Sequence, residues 1–503
     1  MTPATALATA TGVLLSDLVG WAAGGYPGAA AGLVLGILVG VVRWRRRPLW
    51  SWAILRLRQR RPMAWTTPAT VANDRAGGGI RYQDGVAVAA VQVLGKPHTP
   101  TLLTACASAY TENTLDISEL QAQLRQSLGL TIDSLSVVSA GARRRSGGDY
   151  PRVYDTLVGA APYAGRRETW IILRVEATQN AEALRWRKSL GTATLGAAQR
   201  ISNGLRQRGI RARLATATEI VELERRLGRS ALDTGTRRWS SVRSDIGWLT
   251  TYCYQAHDII ADNLAQAWAT HADGIIQNIT LFADGSAAAA IAVLSTQPPR
   301  KPPSRMLRRL PGEQLPAVAA NLCGPRPELW GLARGPLHRP FIVPIGATGV
   351  LLGKVAGGSR LAVPFADPAE FSRVHIAADD NTAKRIVIRI AGTGERITIH
   401  TRNLQRWASV RMPDIALTDQ SRPVGGTTVS VADGTVVPSP RPSTLVTIGP
   451  PGEPCCGTAD VVITQAGPMM VEVRAAGQVH TVEIESLRAE TRYVSPAPAC
   501  RSR

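Results

Sequence analysis

Basic residues are missing from the first 42 positions, where Asp17 is the only charged side chain. That absence argues against a cleaved secretory leader, which opens on a basic n-region. Acidic residues are then missing from Asp17 to Asp74, so nothing offsets Arg43, Arg45, Arg46, Arg47, Arg56, Arg58, Arg60 and Arg61. Lysine is nearly absent, at five of 58 basic residues (Lys96, Lys188, Lys301, Lys354 and Lys384). Aromatics are only 5% of the chain, too few for the stacking platforms that a single-strand nucleic-acid binder interleaves with its cations. The net charge of +21 is therefore read as attraction to anionic lipid, and no nucleic acid is expected. Six cysteines form no CxxC pair and seven histidines no HxxxH or HExxH, which removes the usual zinc spacings. No apolar run long enough to span a membrane follows position 61.

What is present in the first 61 residues reads as a membrane hairpin. Two apolar stretches, 4–23 and 28–42, flank the turn Gly24-Gly25-Tyr26-Pro27-Gly28. A span needs about 20 apolar residues; the second stretch reaches that range with Tyr26 and Trp44 at its ends. The first is softer, with Thr5, Thr9, Thr11, Ser16 and Asp17. An Asp at mid-span costs roughly 2.5–3.5 kcal/mol, so Asp17 is expected to face a partner helix or a wet cavity. Gly32, Gly36 and Gly40 recur every four residues on one face, where another helix can approach closely. The arginines, with Trp44, Trp50, Trp52 and Trp65, predict an interfacial segment after the span. The positive-inside rule puts the rest of the chain in the cytoplasm, and there the cysteines are thiols.

The body alternates strand and helix patterns, which predicts α/β layers. Strands are expected at 86–94, 99–104, 132–140 and 169–175, and a capped helix opens at Asp116. A second helix starts near Pro151, a long one covers 180–208, and another covers 217–227. Asp284-Gly285 predicts a tight hairpin. Residues 297–312, QPPRKPPSRMLRRLPG, have the composition of an exposed linker. Beyond it come short strands, a capped helix over 380–391, and then β-type runs separated by Gly and Pro. The predicted organisation is a transmembrane helical hairpin (1–45), an Arg/Trp-rich juxtamembrane segment (46–75) and a cytoplasmic α/β domain (76–296). A Pro/Arg-rich linker (297–325), a second α/β part (326–412), a small β-rich C-terminal module (413–494) and a disordered tail (495–503) complete it.

Motifs for chemistry fail on spacing. A Walker A loop needs GxxxxGK followed by Ser or Thr, whereas Thr348 stands five before Gly353 and Val355 follows Lys354. Gly392-Thr393-Gly394 follows a helix rather than a strand, so it fails as a dinucleotide fingerprint. His257-Asp258 and His271-Ala272-Asp273 would be acid/base pairs only beside a nucleophile. Asp379-Asp380-Asn381 looks like a cation cluster but is more simply an N-cap. Cys455-Cys456 reads as a turn between prolines and a glycine. No catalytic residue, metal or cofactor is expected.

The order of several segments resembles the EccE family, a membrane component of the mycobacterial type VII (ESX) secretion system. They are GVAVAAVQVLGKPHTPTLLT with His98, Thr99 and Pro100, LDISELQAQL, SVVSAG (136–141), RETWIILRVEA (167–177) and an Ala/Arg-rich helix ending QRGIRARLAT. VPIGATGVLLG (343–353) and LAVPFADP (361–368) follow. The resemblance covers roughly 28–410 and leaves the C-terminal runs unmatched. It implies a non-enzymatic structural subunit at the outer edge of an inner-membrane complex, supporting assembly and export. It also implies EccB-, EccC- and EccD-like partners, EccC carrying the ATPase modules, with an associated mycosin protease. The alternative is a membrane-anchored α/β enzyme or ligand-binding protein of nucleotide-sugar type, because open α/β sheets bind ligands at strand carboxyl ends.

Overall fold

The computed structural model describes residues 3–44, 47–58, 63–71, 77–104, 108–144, 148–233, 235–455 and 457–495. Arg45, Arg46, Arg60, Arg61, Cys106, Cys456, Cys500 and the tail from 496 onward lie outside the described residues.

The chain opens with the helix Pro3–Val41, interrupted at Gly24 and Gly25, whose backbone angles are non-helical. Gly25 takes φ +59, which glycine adopts without the Cβ penalty. The two arms fold back on each other from there. A Cβ on Gly20 would strike the Gly28 carbonyl, and one on Gly32 the Ser16 carbonyl. The backbone pairs Arg43↔Pro48 and Trp44↔Arg47 then turn the chain into the helix Leu49–Arg58.

Two sheets follow. The first is antiparallel, in the order Val242–Ser244, Gly247–Tyr254, Ser286–Ser295, Gly274–Phe282, Ser134–Ala142, Arg166–Glu176, Val86–Val93, Gly78–Gln83 and Ala69–Val71. Alternate side chains serve opposite cores, as strand geometry requires. Ala87, Ala89, Val91 and Val93 join the core under the helix Leu190–Gln207, while Val88 and Ala90 join the one that includes Ile220, Leu223 and Leu315. Asp284 and Gly285 make the predicted hairpin: the Ser286 N–H donates to Asp284 Oδ1 at 2.8 Å, and Gly285 takes φ +85.

The second sheet has a parallel half, from Ile415–Thr418 through Ile397–His400, Val429–Ala432, Thr444–Gly449 and Ser372–Ala377 to Val461–Gly467. Antiparallel strands continue it as far as Thr101–Leu103 and Ala109–Thr111. The helix Asp380–Gly392 crosses over it, with Ile386, Val387, Ile388 and Ile390 buried. The chain crosses between the sheets: Thr101–Leu103 and Ala109–Thr111 join the second, and Ile342–Pro344 pairs with Thr114–Asp116 in a separate two-stranded ladder.

Three expectations change. The β-rich runs after 413 form no separate module, because Val461–Gly467 pairs with Ser372–Ala377 and Gln478–Glu483 with Val350–Val355. Continuing a sheet satisfies backbone groups that a small isolated module would leave open at its edges. The Pro/Arg-rich stretch is exposed over 300–306, but the rest of the expected linker is built into the body: Leu307–Arg309 pairs with the Tyr252–Tyr254 end of the strand Gly247–Tyr254, and the helix Gln314–Ala319 is buried. The helix expected over 180–208 is broken in two, Ala181–Leu184 and Leu190–Gln207, because Ser189 is extended and its side chain caps the Thr192 N–H. Arg187 is turned to the carbonyls of Ser127 and Leu128.

Candidate anchoring and docking site

Apolar side chains that face no protein mark the first part of the site. Leu14, Leu18 and Val19 on one arm, with Val34 and Leu35 on the other, are more than half exposed. Thr9–Gly40 is the one helix among the described residues that is long and apolar enough to cross a membrane. Two of its hydroxyls are satisfied locally: Thr11 donates to the Leu7 carbonyl at 2.9 Å, and Ser16 to those of Gly12 and Val13 at 3.0 and 2.9 Å. That is the accounting hydrocarbon demands. Gly32, Gly36 and Gly40 are buried. A Cβ on Gly36 would stand 2.9 Å from Val13 Cα, and one on Gly40 2.6 Å from Thr9 Cγ2. Asp17 is half-buried, its Cα beside Gly32.

The second part is the dock of the exit helix on the body. The interfacial expectation puts Trp50 and Trp52 toward headgroups, yet both are half-buried against other tryptophans. Trp50 meets Trp330 edge-on with ring centres 6.1 Å apart, and Trp52 meets Trp239 at 5.7 Å. Arg56 covers Trp239 from 5.8 Å, and Leu55 is buried. Gly312, at φ +76, makes room for Trp239: a Cβ there would lie 2.8 Å from the ring. Arg43, Trp44, Arg47 and Arg58 are placed here by backbone alone.

Trp65 closes the dock. Arg81 and Arg229 lie 5.5 and 5.2 Å from its ring centre, both within cation–π reach. Arg81 donates to the Thr66 carbonyl at 2.7 Å and to the Cys323 carbonyl. It pairs with Glu224, Nη2 to Oε2 at 2.9 Å, in a setting where both side chains are almost fully buried. Glu224 also accepts the Cys323 N–H at 3.1 Å. Burial, with the Glu224 charge, pushes the Cys323 thiol up to about 12. Sequence reasoning missed this cluster because Arg81 and Glu224 stand 143 positions apart; Trp65 alone was visible as part of the tryptophan crowding.

The other candidate motifs are occupied by structure. Gly349, at φ +81, abuts the backbone of Val363 and Pro364, so 346–355 is a turn into the strand Val350–Val355. Gly394, at φ +109, follows the last turn of a helix. At the carboxyl end of the parallel strand Ser372–Ala377, where an α/β sheet offers a helix N-terminus to phosphate, Asp379 accepts the Thr382 N–H at 2.8 Å. Gln465 Nε2 donates to its other oxygen at 2.8 Å. The protein's own carboxylate thus sits where an anion would bind. His271 bonds Asp155 at 2.7 Å, and that carboxylate also takes Arg143 at 3.0 Å. His257 is exposed, 3.5 Å from Asp258. Cys455 donates to the Gly457 carbonyl. Among the described residues no three His, Cys, Asp or Glu side chains are grouped to hold a metal.

Comparison with known proteins bears on the whole chain. Residues 163–254 match the family model for EccE, the type VII ESX secretion system translocon. The chain is 47% identical over 506 aligned residues to ESX-2 secretion system protein EccE2 of Mycobacterium tuberculosis, covering 96% of this chain and 94% of that one. It is 26% identical over 384 residues to ESX-1 secretion system protein EccE1 of the same species, covering 73% and 75%. With ESX-5 secretion system protein EccE5 of Mycobacterium marinum it shares 29% identity over 202 residues, 38% of this chain and 50% of the other.

Proposed function

Because this chain belongs to the EccE family of ESX secretion-system membrane components, we propose that it is a non-catalytic subunit whose work is to hold a large body at a fixed attitude to the membrane. One observation carries this reading: the exit segment is built into the body's core at Trp65, between Arg81 and Arg229. A swivelling tether would not need a buried ion pair, or a glycine, Gly324, whose Cβ would stand 2.6 Å from the Trp65 ring. Both arms of Pro3–Val41 cross the bilayer as a hairpin, with Gly32, Gly36 and Gly40 as their contact face and Asp17 against the partner arm. The arginines of 43–61 hold the body on the cytoplasmic side and meet anionic headgroups.

The partners are EccB-, EccC- and EccD-like subunits, with a mycosin protease associated. Deleting residues 1–61 is expected to abolish assembly rather than a chemical step. Affinity purification of the tagged full-length chain from mildly solubilised membranes should bring down those subunits in a large particle, and the deletion should not. An intact complex on native gels from the deletion strain would overturn the proposal.

A further inference from the structure

A cavity of about 320 Å³ lies beneath the exit helix, within the range of small-molecule sites, about 300–1,000 Å³. Leu55, Met63, Val242, Leu315 and Trp330 give it an apolar lining, and Arg237 and Arg238 share the wall. Leu55 stands six residues into a helix that begins eight residues after Val41, only about 9 Å along that helix from its membrane-side start. Arg238 is exposed, its guanidinium 4.4 Å above the Trp248 ring centre. Arg237 is half-buried and donates to the Leu232 carbonyl at 3.1 Å. Of the two carboxylates in the wall, Glu313 accepts the N–H groups of Trp330 and Gly331 at 2.6 and 3.0 Å, and Glu328 is exposed.

From this combination we propose that the cavity binds one membrane phospholipid, an acyl chain against Leu55, Met63 and Leu315 and its phosphate at Arg237 and Arg238. An apolar chamber with two arginines among its lining residues suits an amphiphile carrying a phosphate. Its position beside the membrane exit makes the bilayer the source. The inference rests on the reading that Pro3–Val41 is membrane-embedded.

The test uses the full-length chain in nanodiscs containing phosphatidylglycerol with a photoactivatable acyl chain, followed by peptide mapping. Labelling is expected at both the Pro3–Val41 helix and the cavity peptides carrying Leu55, Met63 or Leu315. Arg238→Glu, an exposed change, should reduce cavity labelling at least fivefold while leaving helix labelling unchanged. Met63→Trp, which fills the chamber, should do the same without lowering the melting temperature appreciably. Cavity labelling should persist in excess inorganic phosphate and fall with a phosphate-free diacylglycerol analogue. Labelling of the helix alone, equal labelling by the analogue, or displacement by inorganic phosphate would each overturn the lipid site. Absence of label on the helix itself would instead overturn the membrane reading.

Discussion

Trp65 and Gly324 are in a relationship that only glycine permits: a Cβ on Gly324 would lie 2.6 Å from the Trp65 ring. Gly324 also offers its carbonyl to the buried Arg174, 2.8 Å away. The membrane exit and the first sheet therefore share one tightly packed point. Gly324→Ala is expected to push Trp65 out of its recess at a cost of about 1–3 kcal/mol, typical of overpacking. Thermal melting of the detergent-solubilised chain, against Gly425→Ala as an unhindered control, checks this.

The Cys323 thiol reports on the same point. Burial, with Glu224 beside it, holds its pKa at about 12, so little thiolate forms near neutral pH. Cys323 should resist iodoacetamide at pH 8 in the intact chain and become reactive in Trp65→Ala. Equal labelling rates in both would mean that Trp65 does not seal the dock.

Arg81 and Glu224 form a buried pair, and removing one partner strands a charge. Arg81→Met is expected to cost about 3–5 kcal/mol. Arg81→Met with Glu224→Met should recover part of that loss, because the second change removes a buried carboxylate left with only Arg229, 3.5 Å away. Denaturant unfolding of four chains, the parent, Arg81→Met, Glu224→Met and the double variant, gives the coupling directly. Additive losses would show that the pair contributes no interaction of its own.

In the N-terminal helix, Gly36→Leu places side-chain atoms where Val13 and Ser16 stand. A Thr9→Cys, Gly40→Cys pair should cross-link efficiently on oxidation, and Gly36→Leu should abolish the cross-link. Persistence of the cross-link in that background would show that close glycine packing does not hold the arms together.

Acid should loosen the second sheet. Burial would raise the Asp379 carboxyl, but hydrogen bonds from Gln465 and Thr382 outweigh it and hold the group below its ordinary value of 3.8. Asp433 is likewise held low against burial, by Thr401 and Thr435. A carboxyl depressed in the folded state contributes stability that is full above the unfolded value and lost as pH falls through the folded one. Melting temperature should therefore drop as pH falls below about 4. Asp379→Asn, which still caps a helix, should flatten that part of the profile while lowering the neutral-pH value through the Gln465 contact.

Local chemistry was legible from the residues. The strand 86–94, the Asp284-Gly285 turn, the Pro151 helix start and the Asp379 cap all appear within a residue or two of their predicted places. Each rests on side-chain period or on a hydrogen bond spanning a few positions. The helix over 180–208 was legible apart from its break between Leu184 and Leu190, because its composition is helical throughout and the Arg187 contacts at the break reach back about sixty residues to Ser127 and Leu128.

The sequence by itself determined that this chain carries an apolar, arginine-stopped N-terminus on an α/β body, because run length, charge order and periodicity are written residue by residue. It also determined the family, through the order of its segments. Tertiary structure alone decided that the C-terminal runs complete the second sheet and that Trp50, Trp52 and Trp65 turn into the body. Both depend on partners brought close only when the chain folds: Ser372–Ala377 for the one, and Trp330, Trp239 and Arg81 for the other.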